Sequence, residues 1–383
     1  MQASERKIRV SIQLNQLGYG GTEKAVLTIL KHIDLNRFHV QVIFRSPGGP
    51  LKFFKYFILR FFFSHYRLMF NEKFVSAYAR LDEFKRFAGG GVVIVSGWSG
   101  FRNAVERFRP DIVHFNRGVA KEFYSMKLNE LRGPKFIETS IFGVCGPPVH
   151  VKQLSRVIFL SEWLLSNSAL AKEVSSVRLY FPVELIRLGI GRARPSHSGG
   201  NDELTIGRLS RPSLDDGKVV ANIILPLLDR NPNLVFKSMG SSDYFIRATK
   251  SHPRIIHVRP TVLERDIFDF LDSLDILLHY RLEGETFGLN IAEAMALGKP
   301  VVSHRSHIDN AQVEILTGFG EAGLIVDDPS NLGQFQEYLQ ALIDSRTLRD
   351  SLGRRGLSIA RENFDPVLIT RKLEAIYTDV ILN

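Results

Sequence analysis

Short apolar runs typical of β-strands alternate with stretches of helical period along most of the chain. In the first half these runs are IRVSIQL, HVQVIF, VVIVS, DIVHF and KFIETS. From about Leu204 the pattern begins again with LTIGRLS, LVFKSMG, IIHVR, DILLHY, KPVVSH and GLIVDD. Strands that alternate with helices form parallel sheets covered by those helices. The sequence therefore predicts an α/β protein with two similar parallel sheets.

The length and one polar segment predict where the chain divides. A chain of 383 residues is too long for one ordinary hydrophobic core. The segment GRARPSHSGGNDE, rich in Gly, Ser and Pro, lies between the two sets of strands and is typical of a hinge. We predict an N-terminal domain over residues 1–190, a C-terminal domain over 191–364 and a helix over 365–383 that returns to the first domain. Because parallel sheets bind ligands at the carboxyl ends of their strands, we expect a cleft between the domains.

The basic residues are concentrated in the first half of the chain. Residues 1–185 contain 27 Lys and Arg against 14 Asp and Glu, and the remainder contains 23 against 26. This surplus suits an anionic partner or a membrane surface, and a solvated surface without function explains it equally well. The single cysteine, Cys145, cannot form an internal disulfide, and the charged N-terminus lacks the pattern of a signal peptide. A cytoplasmic protein is expected.

Two acids bracket the start of a predicted helix in EGETFGLNIAEAMALGKPVV. Seven residues separate Glu285 from Glu293, and the helix LNIAEAMAL is predicted to stop at Gly298, before Pro300. Gly288 would let the backbone approach a ligand, and the first amides of the helix would bind a phosphate. Glu293 could then accept hydrogen bonds from a ribose diol, and Glu285 from another polyhydroxy group. The alternative, that Glu293 complements the helix dipole and Glu285 is a surface acid, stays open.

A basic pair lies in IGRLSRPSLDDGK. Arg208 ends the first strand of the second half, and Lys218 follows a polar loop ten residues later. Both would project from the carboxyl edge of the sheet, where a guanidinium and an ammonium can neutralise a diphosphate leaving group. Taken singly, either residue is explained equally well as a solvated loop charge.

A glycine-rich turn follows the first strand in LNQLGYGGTEKAVLTIL. Gly18, Gly20 and Gly21 are predicted to lead into a helix that Thr22 caps and Glu23 favours. The turn lacks the third glycine of the dinucleotide fingerprint. These glycines could allow the backbone to approach a phosphate or the acceptor closely. A tight structural turn explains them equally well.

Three of these segments, in this order, resemble one family. GGTEKAVLTIL, IGRLS with DDGK, and ETFGLNIAEAMALGKPVV are similar to segments of the retaining nucleotide-sugar glycosyltransferases of family 4, the group 1 transferases. RPDIVHFNRG, KFIETSIFG, VIFLSEWL, NAQVEIL and GLIVDDP extend the resemblance over nearly the whole chain apart from residues 47–91. The resemblance implies the GT-B fold, in which two Rossmann-like domains with parallel sheets face each other across a cleft.

The resemblance also implies roles for individual residues. Arg208 and Lys218 would bind the donor diphosphate and Glu285 the hydroxyls of the donor sugar, and these three are the candidate catalytic residues. The donor-binding residues would be Phe287, Gly288 and Leu289 through their backbone near the phosphates, Glu293 at the ribose, and Gly20, Gly21 and Thr22 against the phosphates or the transferred sugar.

The family's reaction supplies the expected chemistry. It implies a retaining transfer of a hexosyl group, without metal or cofactor, in which the leaving phosphate helps to deprotonate the acceptor. The expected donor substrate is a nucleotide sugar, carried by UDP or GDP. The expected acceptor is a hydroxyl of a glycan or a glycolipid.

One position departs from the family pattern. Many relatives have a histidine in the loop after the strand KFIETS, where it contacts the donor sugar, whereas this chain has ETSIFG. His114 and Asn116 are weak substitutes. His114 lies in an apolar strand and is interpreted as a core histidine with satisfied hydrogen bonds.

The segment KFFKYFILRFFFSHYRLMF, residues 52–70, is aromatic and basic and has no counterpart in the family. On a helical wheel its basic residues share one half, and the other half contains Phe54, Ile58, Phe61, Phe62 and Met69. Four basic residues argue against a membrane-spanning helix, and a helix lying in the membrane interface fits better. We expect peripheral contact with a membrane or amphipathic acceptor; packing on the core of the domain is the alternative.

Two other classes of protein compete with the transferase. A nucleotide-sugar epimerase or a phosphorylase would share the architecture, but no motif for proton abstraction or for a cofactor lysine is present. A basic nucleic-acid-binding protein would need stacking aromatics on a basic face, and only residues 52–70 offer them. No nucleic-acid partner is expected.

Overall fold

The chain forms two units in the computed structural model. The first comprises Met1–Pro182 with Pro366–Asn383, and the second comprises Val183–Asp365. The structure describes residues 6–45, 58, 77–117, 128–143, 148–185, 203–211 and 213–383. The predicted hinge and the aromatic segment 52–70 therefore lie outside the described residues, except for Glu203 and Ile58.

The first unit contains a parallel sheet of seven strands in the order β3-β2-β1-β4-β5-β6-β7. Its strands are β1 Ile8–Leu14, β2 Phe38–Arg45, β3 Val92–Val95, β4 Ile112–Arg117, β5 Lys135–Ser140, β6 Leu154–Phe159 and β7 Ser176–Arg178. Its helices include α1 Gly21–His32, α2 Leu81–Phe87, α3 Trp98–Phe108, α4 Pro148–Val151 and α5 Glu162–Asn167. The strand order reverses between β1 and β4, so the sheet has its topological switch point there.

The second unit contains a parallel sheet of six strands in the order β10-β9-β8-β11-β12-β13. Its strands are β8 Leu204–Leu209, β9 Leu234–Met239, β10 Ile255–Val258, β11 Ile276–Leu278, β12 Val301–His304 and β13 Gly323–Val326. Among its described residues, the helices are α6 Leu214–Arg230, α7 Asp243–Thr249, α8 Glu264–Asp272, α9 Leu289–Ala296, α10 Ala311–Thr317, α11 Leu332–Asp344 and α12 Arg346–Asn363. Here the switch point lies between β8 and β11.

The C-terminal helix α13, Pro366–Leu382, packs on α1 in the first unit. Proline suits its first position because the first amides of a helix need no intrahelical partner. The Glu374 carboxylate accepts a hydrogen bond from the Asp34 amide at 2.7 Å, and Arg156 pairs with Asp379 at 2.6 Å. Side-chain contacts thus hold this helix to the loop after α1 and to β6.

The two predicted parallel sheets are confirmed, and each predicted run overlaps a strand. The strands β6 and β7 were not predicted as strands, and β7 has only three residues, too few for a periodic signal. Among the helices that the structure describes, none has the length and apolarity needed to cross a membrane.

Candidate functional site

Arg208 lies at the switch point of the second sheet. It is the fifth residue of β8 and is almost completely buried. Its Nη2 donates a hydrogen bond to the carbonyl oxygen of Tyr280 at 3.2 Å, just beyond the end of β11. The guanidinium is thereby held where the chain leaves the two central strands, the region in which α/β sheets bind ligands.

The start of α9 is attached to the same edge. The Asn290 side chain donates a hydrogen bond to the Leu209 carbonyl at 2.8 Å and so joins the helix to the end of β8. Gly288 is the N-cap and has φ 87°, in the left-handed region that glycine adopts without strain. Gly288 provides no side-chain cap, and Asn290 Oδ1 accepts from the Ile291 amide at 3.0 Å, so an anion would bind at the amides that precede Ile291. The first amides of α9 therefore form an end suited to an anion.

Glu285 lies in the loop before α9, and both its carboxylate oxygens have partners. Oε1 is 3.2 Å from His279 Nε2, and Oε2 accepts a hydrogen bond from Arg281 Nη1 at 3.2 Å. The opposite nitrogen of His279 is 2.8 Å from Ser303 Oγ on β12. Burial by itself would raise the pKa of Glu285, but the hydrogen bonds and charges of His279 and Arg281 outweigh it and lower the pKa. The carboxylate is ionised and held in one orientation.

The backbone of this loop is also fixed. Glu285 donates its amide hydrogen to Gln312 Oε1 at 2.9 Å, and its carbonyl accepts from the Ala311 amide at 3.0 Å. Gly284 has φ 74°, and a Cβ there would overlap the carbonyl oxygen of Asp309. Contact with the start of α10 therefore positions the loop, and only glycine fits at position 284.

Glu293 is buried within α9, five residues after Gly288. Phe287 is buried too, and its ring packs edge-on against Phe364 at 5.4 Å between centroids. The Phe287 side chain thus belongs to the core, which leaves its backbone as the part able to contact a ligand. The predicted end of the helix is confirmed, because Gly298 has φ 69° just beyond it.

Lys218 was predicted to follow a loop, but it lies within α6 and is exposed. The expectation was wrong because the helix already begins at Leu214, inside the polar stretch. The Lys218 ammonium lies 5.8 Å from the centre of the Tyr244 ring on α7. These hydrogen bonds connect Arg208 with the loop of Glu285 through residues 279–281, and with the start of α9 through Leu209. Lys218 instead lies beside α7.

The glycine turn of the first unit leads into α1, but Thr22 does not cap it. The helix begins at Gly21 with Gly20 as N-cap and without a side-chain cap, so Thr22 is already inside the helix. Glu23 lies in the first turn, as expected. Gly20 has φ −69° and ψ 154°, a conformation that any residue adopts. The backbone conformation therefore does not require glycine at this position.

His114 is a satisfied core histidine, as its apolar strand predicted. Its Nδ1 is 2.7 Å from the Tyr377 hydroxyl and its Nε2 is 2.8 Å from Thr139 Oγ1. With Asn116 these side chains line a cavity of about 20 Å³, large enough for one water molecule. The buried Nδ2 of Asn116 has no partner in the described part of the chain. An imidazole buried in this way is not available at the surface of the unit.

Several residues of the site were not predicted from the sequence. They are His279, Tyr280, Arg281, Asn290, Ser303 and Gln312. The position of His279 directly after a strand was an available signal. Asn290 and Gln312 gave none, because their partners are backbone groups distant in sequence. Across the described ranges, no three His, Cys, Asp or Glu side chains are grouped as metal ligands.

Comparison with known proteins identifies the second unit. Residues 201–345 match the family model "Glycosyl transferases group 1". This segment contains Arg208, Lys218, Glu285 and Glu293. No curated protein sequence gives a significant match to the chain.

Solved structures resemble the whole chain. HepE of Anabaena, in complex with UDP and glucose, has a TM-score of 0.67 at 15% identity, covering 97% of this chain and 99% of that chain. A glycosyltransferase of Rickettsia africae has a TM-score of 0.68 at 15% identity, covering 99% and 100%. Sucrose-phosphate synthase of Thermosynechococcus elongatus has a TM-score of 0.64 at 14% identity, covering 98% and 100%. Residues 201–345 are therefore a group 1 glycosyltransferase domain, and the chain that carries it is a transferase enzyme with the GT-B fold.

Proposed function

We propose that the protein moves a hexosyl group from a UDP or GDP sugar to a hydroxyl of a glycan or lipid-linked acceptor. The anomeric configuration is retained, and no metal or cofactor takes part. The second unit binds the donor and the first binds the acceptor. UDP is favoured because the similar HepE was solved with UDP, with UDP and glucose, and with UDP-glucose.

One observation carries this proposal. The hydrogen bonds of Arg208 to Tyr280 and of Asn290 to Leu209 bring a guanidinium and a helix start to one sheet edge, next to the loop of Glu285. A guanidinium and helix amides bind phosphate, and an ionised carboxylate binds hydroxyl groups. A diphosphate with a sugar at one end and a ribose at the other has both kinds of group.

The proposed mechanism follows from these groups. Arg208 and Lys218 stabilise the negative charge that develops on the diphosphate as its bond to the anomeric carbon breaks. The acceptor hydroxyl forms the new bond to that carbon and gives its proton to the leaving phosphate. Glu285 holds hydroxyls of the transferred sugar, Glu293 holds the ribose, and the backbone of residues 287–289 contacts the phosphates. Gly20 and Gly21, with Thr22, approach the phosphates or the sugar.

Ligand-dependent melting tests the proposal. A ligand that binds only the native state raises the melting temperature by mass action. We expect UDP or GDP and the corresponding sugars to raise it, and ADP to have little effect. If no nucleoside diphosphate or nucleotide sugar changes the melting temperature at millimolar concentration, the proposed donor is wrong.

A further inference from the structure

The Glu285 carboxylate is oriented before any ligand binds. His279 occupies one oxygen and Arg281 the other, each at 3.2 Å. A carboxylate oxygen can accept two hydrogen bonds, so each oxygen keeps one further acceptor position. The Glu285 side chain is 17% exposed, so part of it is accessible from solvent.

We propose that His279, with Ser303 behind it, and Arg281 are positioning residues that hold Glu285 to receive two neighbouring hydroxyls of the donor sugar. This inference rests on the proposed function and adds the group that is recognised, a vicinal diol. Two acceptor positions on one rigid carboxylate match two adjacent hydroxyls. A carboxylate free to rotate would pay conformational entropy on binding the same pair.

The geometry indicates that His279 contributes more than Arg281 to holding the Glu285 carboxylate. Its ring is buried, and Ser303 Oγ lies 2.8 Å from Nδ1. Because the Glu285 carboxylate only accepts, the ring nitrogen that faces it, Nε2, carries a proton and donates, while the Ser303 hydroxyl holds the opposite nitrogen. Ser303 thus fixes the orientation of the ring.

Arg281 makes the weaker contact. Its side chain is 45% exposed, and its Nε also lies 3.7 Å from Glu283. Ion pairs of exposed side chains contribute little because water screens them. Replacing Arg281 should therefore affect sugar binding less than replacing His279.

Separate titrations of the full chain with UDP and UDP-glucose test the proposal, because both carry the ribose diol but only UDP-glucose carries the diol of a donor sugar. His279→Leu removes both hydrogen bonds of the ring, and Ser303→Ala removes its support. We expect His279→Leu to weaken UDP-glucose binding roughly tenfold to a hundredfold, as for loss of a hydrogen bond to a charged group. Ser303→Ala should have a smaller effect in the same direction. UDP affinity should stay within about twofold, because UDP lacks the sugar.

The second sheet provides matched controls and a rescue. His257 on β10 also bonds two hydroxyls, those of Ser241 and Thr249, and Ser238 on β9 is as buried as Ser303. His257→Gln and Ser238→Ala should leave both affinities unchanged. His279→Gln carries an amide that can donate in place of Nε2, and it should restore part of the UDP-glucose affinity. It also serves as the test if the leucine variant does not fold.

Two results would overturn the positioning role. One is an equal loss of UDP and UDP-glucose affinity, which would indicate general damage to the unit. The other is unchanged UDP-glucose affinity in both His279 variants and in Ser303→Ala. Failure of the proposed function looks different, because the unaltered protein would then bind none of the nucleotides or nucleotide sugars, and the inference would fall with it.

Discussion

His114 Nδ1 lies 2.7 Å from the hydroxyl of Tyr377 and connects the centre of the first sheet to α13. Burial lowers the pKa of His114 to about 3 and raises that of Tyr377. The imidazole is therefore neutral, and it bonds Thr139 through its other nitrogen. An uncharged histidine thus connects β4 and α13, which are far apart in the sequence.

Acid should destabilise the first unit through His114. The folded pKa is depressed, so the contribution to stability is complete above the unfolded value near 6.5 and is lost as pH falls from there towards 3. The loss amounts to about 1.4 kcal/mol per pH unit. Melting curves between pH 7.5 and 4.5 should be less pH-dependent for His114→Gln than for the unaltered protein. Tyr377→Phe keeps the histidine and should keep the pH dependence; equal slopes in all three would contradict this account.

Removing Glu293 should weaken nucleotide binding. Two hydroxyls of the ribose would lose a charged acceptor, which corresponds to a decrease in affinity of roughly tenfold or more. Calorimetric titration of Glu293→Ala with UDP measures the effect. Glu337→Ala, which removes an exposed acid on α11, is the control. Equal affinity in both variants would remove Glu293 from the site.

Lys218→Ala and Arg208→Ala should both abolish sugar transfer but should differ in stability. Lys218 is exposed, so we expect its loss to leave the melting temperature unchanged. Arg208 is buried and bonds the Tyr280 carbonyl, so its loss should also lower the melting temperature. Activity and melting assays separate the two effects, with Lys250→Ala at the exposed end of α7 as the control. Normal turnover in both variants would show that the diphosphate lies elsewhere.

Gly284→Ala should disturb the loop that carries Glu285. Both Gly284 and Gly298 have positive φ, and an alanine at either position costs about 1–2 kcal/mol for the left-handed conformation. At Gly284 the new Cβ also overlaps the Asp309 carbonyl, whereas at Gly298 the nearest atom is 3.6 Å away. We expect a larger drop in melting temperature and weaker UDP-glucose binding for Gly284→Ala. Equal effects of the two substitutions would contradict the proposed tight contact.

The aromatic segment 52–70 should bind anionic lipid. Its basic and aromatic residues suit a membrane interface, where each basic residue near an anionic surface contributes about 1 kcal/mol. Co-sedimentation with phosphatidylglycerol vesicles at low salt should recover the protein, and phosphatidylcholine vesicles should not. Replacing Lys52, Lys55, Arg60 and Arg67 with Glu should abolish binding. Absence of binding to anionic vesicles at low salt would exclude the membrane contact.

Much of the fold could be predicted because strands and helices have different local periods. The runs that became β1 and β5 were identified with their exact ends, and the helix after Glu285 was placed to within one residue. Glycine and proline marked its end, since their backbone preferences act locally. Thr22 was misassigned because Gly20 and Gly21 shift the start of α1, and helix ends are the least certain feature of a local pattern.

The sequence by itself determined the two parallel sheets and the helix that follows Glu285 and contains Glu293. It also supplied the candidate residues of the donor site, whose roles stay predictions. Only the tertiary structure decided that His279 and Arg281 hold Glu285, that Asn290 joins α9 to β8, and that His114 is paired with Tyr377. His114 and Tyr377 are 263 positions apart, and His279 and Ser303 are 24 apart. Such contacts leave no periodic signal, because they arise from how the strands are ordered in the sheet and not from the conformation of any one segment.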